Sequence, residues 1–354
     1  MSSAVDRFVE RYVAEMAGVG VDLDRLVTAP SGLGAAEMLE ALGDPRLGRL
    51  GIPLMADFMA PEDSIYYDAI FGAFRGQGAI RNWLVPAMAE IEFIDFVPTA
   101  APTLFDDGLG GTSLDEWNMV ANLGDDVVPL ARGVSVRRYR DGWITWACDV
   151  YDTGTMRQPP PPEAGIEAAP LPPCPKVDWV TDDSVGSTPL TDAATAWLAS
   201  RSAATAPSPN ETPSGLSHAE MSDLLARPLL GTDVPAIHGL FHPTDSVHFD
   251  PLVGELHGQV AIAALLAEVA PGVGAVAFEP LGPRSFDGTT SVQEWQQMAV
   301  LPDGNRVMLL RGTSVRRFVD GWAVYSADYF DTAALDDDEV REAARAAGVN
   351  PVRR

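Results

Sequence analysis

Cysteine, lysine and histidine are all scarce in this chain of 354 residues, and each scarcity closes a route. The only cysteines, Cys148 and Cys174, lie in segments of different character, so neither a disulfide framework nor a thiolate metal site can be argued. Lys176 is the sole lysine, and 24 basic against 50 acidic side chains leave a formal charge of −26. Affinity for phosphate comes from Lys and Arg, so this balance argues against nonspecific nucleic-acid binding and against an anionic membrane surface. No apolar run approaches the roughly 18 residues of a spanning helix, and the N-terminal Met-Ser-Ser-Ala-Val-Asp-Arg-Phe carries no apolar stretch. The chain reads as cytoplasmic. Its near-exclusive use of arginine, with abundant alanine, is the bias of a high-GC bacterial genome. All five histidines (His218, His238, His242, His248 and His257) fall in the second half. His238 and His242 stand four apart, yet no third ligand accompanies them and no metal is expected. Gly108-Leu-Gly-Gly follows two aspartates in a turn and lacks the strand-to-helix setting of a phosphate cradle, and no Gly-x-Ser-x-Gly elbow occurs.

What is present is written twice. Arg132-Gly-Val-Ser-Val-Arg-Arg-Tyr-Arg-Asp-Gly-Trp143 and the residues to Thr153 return as Arg311-Gly-Thr-Ser-Val-Arg-Arg-Phe-Val-Asp-Gly-Trp322 and onward to Thr332. Twelve of these 22 positions are identical, which marks a duplication. Asp63-Ser-Ile-Tyr-Tyr-Asp68 returns as Asp245-Ser-Val-His-Phe-Asp250, and Pro30-Ser-Gly-Leu as Pro213-Ser-Gly-Leu. A domain-sized unit occurring twice is a tandem domain and not a solenoid. Between the copies, residues 159–175 hold eight of the 29 prolines, a composition that favours an extended spacer. The expected organisation is a first domain over 1–155, a linker over 156–184, a second domain over 185–335, and a tail over 336–354. Asp336-Asp-Asp-Glu begins that tail as a short terminal helix.

Within each copy the pattern runs from helices to strands. Ala4–Met16 and Ala35–Leu42 show helical spacing of apolar residues, and further helices follow Gly76 and Gly258. From residue 90 onward short β-rich segments follow one another, with Asp141-Gly142 and Asp320-Gly321 placed to turn hairpins. The fold class is α+β: two tandem cone-shaped domains, each with helices packed on a strongly curved antiparallel sheet that encloses a pocket.

His248-Phe-Asp-Pro-Leu-Val-Gly254, the glycine-led helix after it, and the closing hairpin ending in Asp328-Tyr-Phe-Asp331 carry a resemblance. In that order, and twice over, they resemble the nuclear-transport-factor-2-like superfamily. It includes SnoaL-like polyketide cyclases, ketosteroid isomerase and limonene-1,2-epoxide hydrolase. The resemblance implies a pocket for a mostly apolar, steroid-, terpenoid- or polyketide-like small molecule, chemistry without a cofactor, and pairing of domains through their sheets. Here that pairing implies an internal pseudo-dimer and leaves further homo-dimerisation open. By that resemblance Asp68 and Asp250 stand where the isomerase has its base. Ser135 and Ser314 fall near its second oxyanion donor, and Tyr12 is a candidate for its tyrosine. The isomerase's use of carboxylates is the worked example of acid–base tuning in this fold. Against the epoxide hydrolase, Tyr66, Asp68 and Asp149 match the water-holding set in copy one, and His248, Asp250 and Asp328 in copy two. Its arginine-x-aspartate pair is replaced by Glu116-Trp-Asn118 and Glu294-Trp-Gln296, and a neutral amide cannot serve as its acid.

Residues two apart on a strand share a face. Tyr66 with Asp68, His248 with Asp250, Glu116 with Asn118, and Glu294 with Gln296 are therefore expected to point together. Carboxylates crowded in an apolar pocket raise one another's pKa, which makes an acid–base catalyst at neutral pH. The expected catalytic set is Asp250, Asp68, Asp328, Asp149, His248 and Tyr66. The expected substrate-binding set is Glu116, Asn118, Glu294, Gln296, Trp117 and Trp295. The bland alternatives are equally specific. Asp68 and Asp250 would be turn or cap aspartates, Asp149 and Asp328 carboxylates held by Arg132 or Arg311, and the two tryptophans convex-face packing. Arg137-Arg138 and Arg316-Arg317 alternate faces, so one of each pair is expected to meet solvent or the other domain. The intact Asp-Pro-x-x-Gly pattern favours copy two as the active one. The expected function is isomerisation, cyclisation or epoxide/water chemistry on an apolar small molecule. The alternative is a non-catalytic binding or assembly module of the same fold.

Overall fold

Residues 3–19, 22–90, 93–123, 126–154, 189–202, 211–226, 233–273 and 276–348 are described in the computed structural model. The expected linker over 156–184 lies outside the described residues. The chain divides into two compact units, Met1–Tyr151 with Pro160–Val177 and Asp152–Pro159 with Asp178–Arg354. Asp152 and Thr153 go with the second unit through reciprocal bonds. The Thr153 hydroxyl donates to the Asp331 carboxylate at 2.8 Å, and that of Thr332 donates to Asp152 at 2.6 Å.

The first unit begins with helices α1 (Ala4–Val19), α2 (Ala35–Leu42) and α3 (Gly51–Phe58). Strands β1 (Ile65–Asp68) and β2 (Gly72–Arg75) lead into α4 (Gln77–Glu90). The rest is β3 (Ile94–Pro98), β4 (Thr103–Phe105), β5 (Gly110–Leu123), β6 (Asp126–Arg140) and β7 (Trp143–Tyr151). The sheet runs β2-β1-β7-β6-β5-β3, with β4 beside β5. The second unit repeats this plan with α5 (Asp192–Ser202), α6 (His218–Ala226), α7 (Asp233–Ala236), β8 (Val247–Asp250), β9 (Gly254–His257) and α8 (Gly258–Val273). Then come β10 (Val276–Pro280), β11 (Ser285–Phe286), β12 (Thr290–Val300), β13 (Arg306–Val319), β14 (Trp322–Phe330) and α9 (Asp338–Ala346). Its sheet order is β10-β12-β13-β14-β8-β9, with β11 beside β12.

Two local features shape both sheets. Asp141 and Gly142 take φ of 51° and 78°, and Asp320 and Gly321 take 49° and 79°. Positive φ at both central residues is what a type I′ hairpin requires, and Asp-Gly supplies it with little strain. Matching bulges fall at Met119/Val120 and Arg138/Tyr139, and at Gln297/Met298 and Arg317/Phe318. Each bulge bends the long strands and deepens their twist, which curves the sheet over its helices. The expectation of an antiparallel sheet needs one correction. β1 lies parallel to β7, and β8 parallel to β14. Each of these strands is entered from the helix layer, far in sequence from its neighbour, so no hairpin sets its direction.

The helices of the first unit cover the sheet face that carries Tyr66, Tyr139, Ile144 and Ala147. Val9, Met38, Leu54, Phe58 and Ile80 are buried against it. Each such side chain contributes about 1.5–3 kcal/mol by leaving water. Gln77 fastens α4 to the end of α3 by donating to the Met59 carbonyl at 2.7 Å, and Gln259 does the same to Phe241 at 2.8 Å.

Candidate functional site

The register decides which side chains meet. Ser135 lies opposite Asp149 and Asp115, and Asp68 lies opposite Asp149. With the alternation of the pleat, this puts Asp115 and Trp117 of β5, Ser135 and Arg137 of β6, Asp149 of β7, and Tyr66 and Asp68 of β1 on the helix-covered face. The second unit gathers Gln293, Trp295, Ser314, Arg316, Ser326, Asp328, His248 and Asp250 in the same way.

A relay of hydrogen bonds runs across each set. The Trp117 indole donates to Ser135 Oγ at 2.9 Å, Ser135 donates to Asp149 Oδ1 at 2.5 Å, and Tyr66 donates to Asp149 Oδ2. In the second unit Trp295 donates to Ser314 at 2.8 Å and Ser314 to Asp328 Oδ1 at 2.5 Å. A glycine on the neighbouring strand permits this geometry. The indole of Trp117 lies against Gly133 and that of Trp295 against Gly312, where any Cβ would overlap the ring. Gly133→Ala is therefore expected to push Trp117 off Ser135 and to destabilise the first unit by about 1–3 kcal/mol through overpacking. A urea melt measures this, and an unchanged midpoint would mean the indole has room to shift.

Asp68 is held in a turn and is also buried beside a second carboxylate. Its Oδ1 accepts the backbone N–H of Ile70 at 2.8 Å and of Phe71 at 3.1 Å, so it is a turn aspartate. The Tyr151 hydroxyl donates to Oδ2 at 3.2 Å. Burial, and then the charge of Asp149, nonetheless push its pKa up to about 7. Asp250 accepts from Leu252 N at 2.7 Å and is pushed up to about 6 by burial and then by Asp328. His248 Nδ1 lies 2.8 Å from Ser326 Oγ, and burial draws its pKa down to about 4, which makes it a neutral imidazole at pH 7.

The copies differ in how they use their arginine. In the first, Arg137 pairs with Asp115. Burial lowers its pKa, and the carboxylates of Asp115 and Asp149 more than offset this and leave it raised. Gln293 stands where Asp115 would be, and Arg316 pairs instead with Asp328 at 2.7 Å. Burial would raise the Asp328 carboxyl, yet Arg316, His248 and Ser314 hold it below the ordinary aspartate range. Phe330 replaces Tyr151, so Asp250 has no counterpart of that hydroxyl donor.

Four expected substrate contacts are placed elsewhere. Glu116, Asn118, Glu294 and Gln296 lie on the opposite face of their sheets, because the pleat alternates about Trp117 and Trp295. Glu294 pairs with Arg311 at 3.3 Å, and the Gln296 amide donates to Glu279 at 2.7 Å. The two tryptophans take the inner face in their stead. Tyr12 gives its hydroxyl to Asp57 at 2.9 Å. His238 Nδ1 meets the Pro235 carbonyl at 2.6 Å and His242 Nδ1 accepts from Asp245 N at 3.0 Å, both local bonds. Among the described residues no three His, Cys, Asp or Glu side chains gather as a metal site. Arg137 and Arg316, each expected as one of a face-alternating pair, stand on the inner face, as do Asp115 and Tyr151, which the sequence reading did not single out. The available signal was Ser-Val-Arg at 135–137 and again at 314–316, two residues apart and therefore on one face.

No protein-family model and no curated protein matches the chain. Solved structures do match part of the chain. An NTF2-like protein of unknown function from Cytophaga hutchinsonii is 12% identical, over 32% of this chain and 95% of its own, at a TM-score of 0.27. A SnoaL-like protein from Agrobacterium tumefaciens is 19% identical, over 32% and 97%, at 0.27. An LEH-like epoxide hydrolase from M. tuberculosis is 20% identical, over 36% and 88%, at 0.27. The chain is similar to each over about one third of its length.

Proposed function

We propose that the chain is a cofactor-independent acid–base enzyme acting on a mostly apolar small molecule by isomerisation, cyclisation or the addition of water. The observation that carries this reading is Asp68. A buried carboxyl brought to about 7 beside a second carboxylate, Asp149, is half-ionised at neutral pH. It can therefore take a proton and return it within one turnover. Asp149, held by Ser135 and Tyr66, would orient the substrate oxygen or a water through the hydroxyl of Tyr66. In copy two Asp250 would be the base, with Asp328 and the neutral His248 in the orienting role. Trp117 and Trp295 support these carboxylates through Ser135 and Ser314 and offer an apolar wall.

The test is mass spectrometry after incubation in ¹⁸O-labelled water with lipophilic epoxides, β,γ-enones and polyketide-like ketones. An isomer of unchanged mass would assign proton shuttling, and a labelled diol would assign hydrolysis. Tight binding of panel members without turnover would instead assign a binding module.

A further inference from the structure

In each unit an arginine stands between two possible partners. Arg137 follows Ser135 by two residues on β6, and Ser135 lies opposite Asp115 on β5 and Asp149 on β7. Arg137 is therefore a diagonal neighbour of both carboxylates, at a separation that a long side chain spans on either side. In the second unit Ser314 lies opposite Gln293 and Asp328, and Arg316 is diagonal to both. The two arginines take opposite sides. Arg137 pairs with Asp115, and Asp149 takes its bonds from Ser135 and Tyr66. Arg316 donates from Nη2 to Asp328 Oδ1 at 2.7 Å, while the Gln293 amide donates to the carbonyls of Gly282 and Glu294 at 3.0 and 2.7 Å. Tyr66 and Tyr151 also face the Asp68–Asp149 pair, Tyr139 acts on Arg137, and α4 brings the Trp83 ring within 5.4 Å of the Tyr66 ring. His248 and Arg316 face Asp328, Asp152 acts on Asp250, and the Phe241 ring lies 6.5 Å from that of His248.

We propose that Asp115 is a positioning residue of the first site: by holding Arg137 toward β5 it leaves Asp149 to Ser135 and Tyr66, as a carboxylate without an arginine beside Asp68. Gln293 has the opposite effect in the second site, where it releases Arg316 onto Asp328. The proposal rests on the reading of these carboxylates as an acid–base site, and it divides the copies by charge. In the first site two carboxylates stand together with no arginine between them, so a proton is bound more readily there. In the second, Arg316 balances Asp328, and Asp250 releases its proton more easily. The two bases follow this order, Asp68 raised to about 7 and Asp250 to about 6, with burial the first cause of each and the neighbouring carboxylate the second. The first copy is thereby suited to taking and returning one proton near pH 7, and the second to acting as a base at lower pH.

An NMR pH titration of the full chain, labelled with [¹³Cγ]aspartate, tests this without a substrate. Two signals should titrate near pH 7 and pH 6, clear of ordinary aspartates at 3.8, and Asp68→Asn and Asp250→Asn assign them. Asp115→Asn should free Arg137 for Asp149 and weaken proton binding at Asp68 about tenfold. Asp115→Glu keeps a carboxylate for Arg137 and should leave Asp68 within about twofold of the wild type. In an Arg137→Gln chain the same Asp115→Asn change should move Asp68 by less than about twofold. A full effect in that background would mean that Asp115 acts by its own charge, and would overturn the proposal. So would an unmoved Asp68 in a natively folded Asp115→Asn chain, because a residue that only supports the sheet alters the urea midpoint and not this titration. Where circular dichroism shows that the first-unit variants unfold, the second unit decides. Gln293→Asp should draw Arg316 off Asp328 and strengthen proton binding at Asp250 about tenfold, and by less than about twofold once Arg316 is replaced by Gln. No effect in the first chain, or a full effect in the second, overturns the proposal. Titrations as expected with no turnover on the labelled-water panel remove the acid–base reading and leave the arginine assignment standing.

Discussion

Asp68→Asn is expected to lower kcat/KM by about 10²–10⁴-fold and, at the same time, to stabilise the first unit above pH 7. The two effects have one origin. The carboxyl titrates near pH 7 in the folded chain against an ordinary value of 3.8. Its folded pKa is the higher one, so the folded state holds more protons between pH 4 and 7, and stability falls as pH rises through that window. At pH 8 the charged form opposes folding by up to about 4 kcal/mol, at 1.36 kcal/mol per pKa unit. Asn carries no charge and keeps an oxygen for the N–H groups of Ile70 and Phe71 and for the Tyr151 hydroxyl. Urea midpoints at pH 5 and pH 8 measure the difference. The wild type should weaken between them and the variant should not. The kcat/KM profile should rise through about pH 7 in the wild type and lose that limb in the variant. A variant that loses activity and stability together would mean that Asp68 serves only the turn.

The second large effect lies in the helix layer of the first unit. Arg81 is 1% exposed and Asp57 5%, and the two are paired there. Tyr12 donates to the same carboxylate, and Arg81 Nη1 also donates to the Asp22 carbonyl at 3.1 Å. Removing one partner of such a pair leaves a buried charge uncompensated. Asp57→Ala is therefore expected to destabilise by about 3–5 kcal/mol. Replacing both partners by apolar residues of similar volume, Asp57→Leu with Arg81→Met, should recover most of that loss, because the desolvation of two ions disappears with the pair. The duplication has already made a related change. At the matching offset the second copy carries Gly239 and Ala263, and its helix layer is apolar at Leu240 and Ile262. A single variant within about 1 kcal/mol of wild type would mean that water reaches Arg81 and solvates it.

The duplication, the hairpins and the strand carrying Asp68 were legible in the chain because each is a local or self-referential signal. Repeated Ser-Val-Arg-Arg and Asp-Gly-Trp need no knowledge of the fold to be seen. The pairs Tyr66–Asp68 and His248–Asp250 were legible as same-face pairs because the strand period is two. Which face of β5 and β12 looks inward was not. Glu116 and Trp117 are adjacent, and only the register against Gly133 and Ser135 sends the tryptophan in and the glutamate out. A shift of one residue would reverse them.

Arginine partners were also illegible, since Arg137 and Arg316 sit in identical local sequence. A neighbouring strand decides between them, by offering Asp115 in one copy and Gln293 in the other. The sequence by itself determined that a helix-then-strand domain occurs twice and that carboxylates recur at fixed places in it. The tertiary structure decided which carboxylate has its pKa raised, and that Trp117 and Trp295 take the inner face beside those carboxylates. Charge and access depend on burial and on neighbours brought together across strands, and neither is a property of any residue's own stretch of chain.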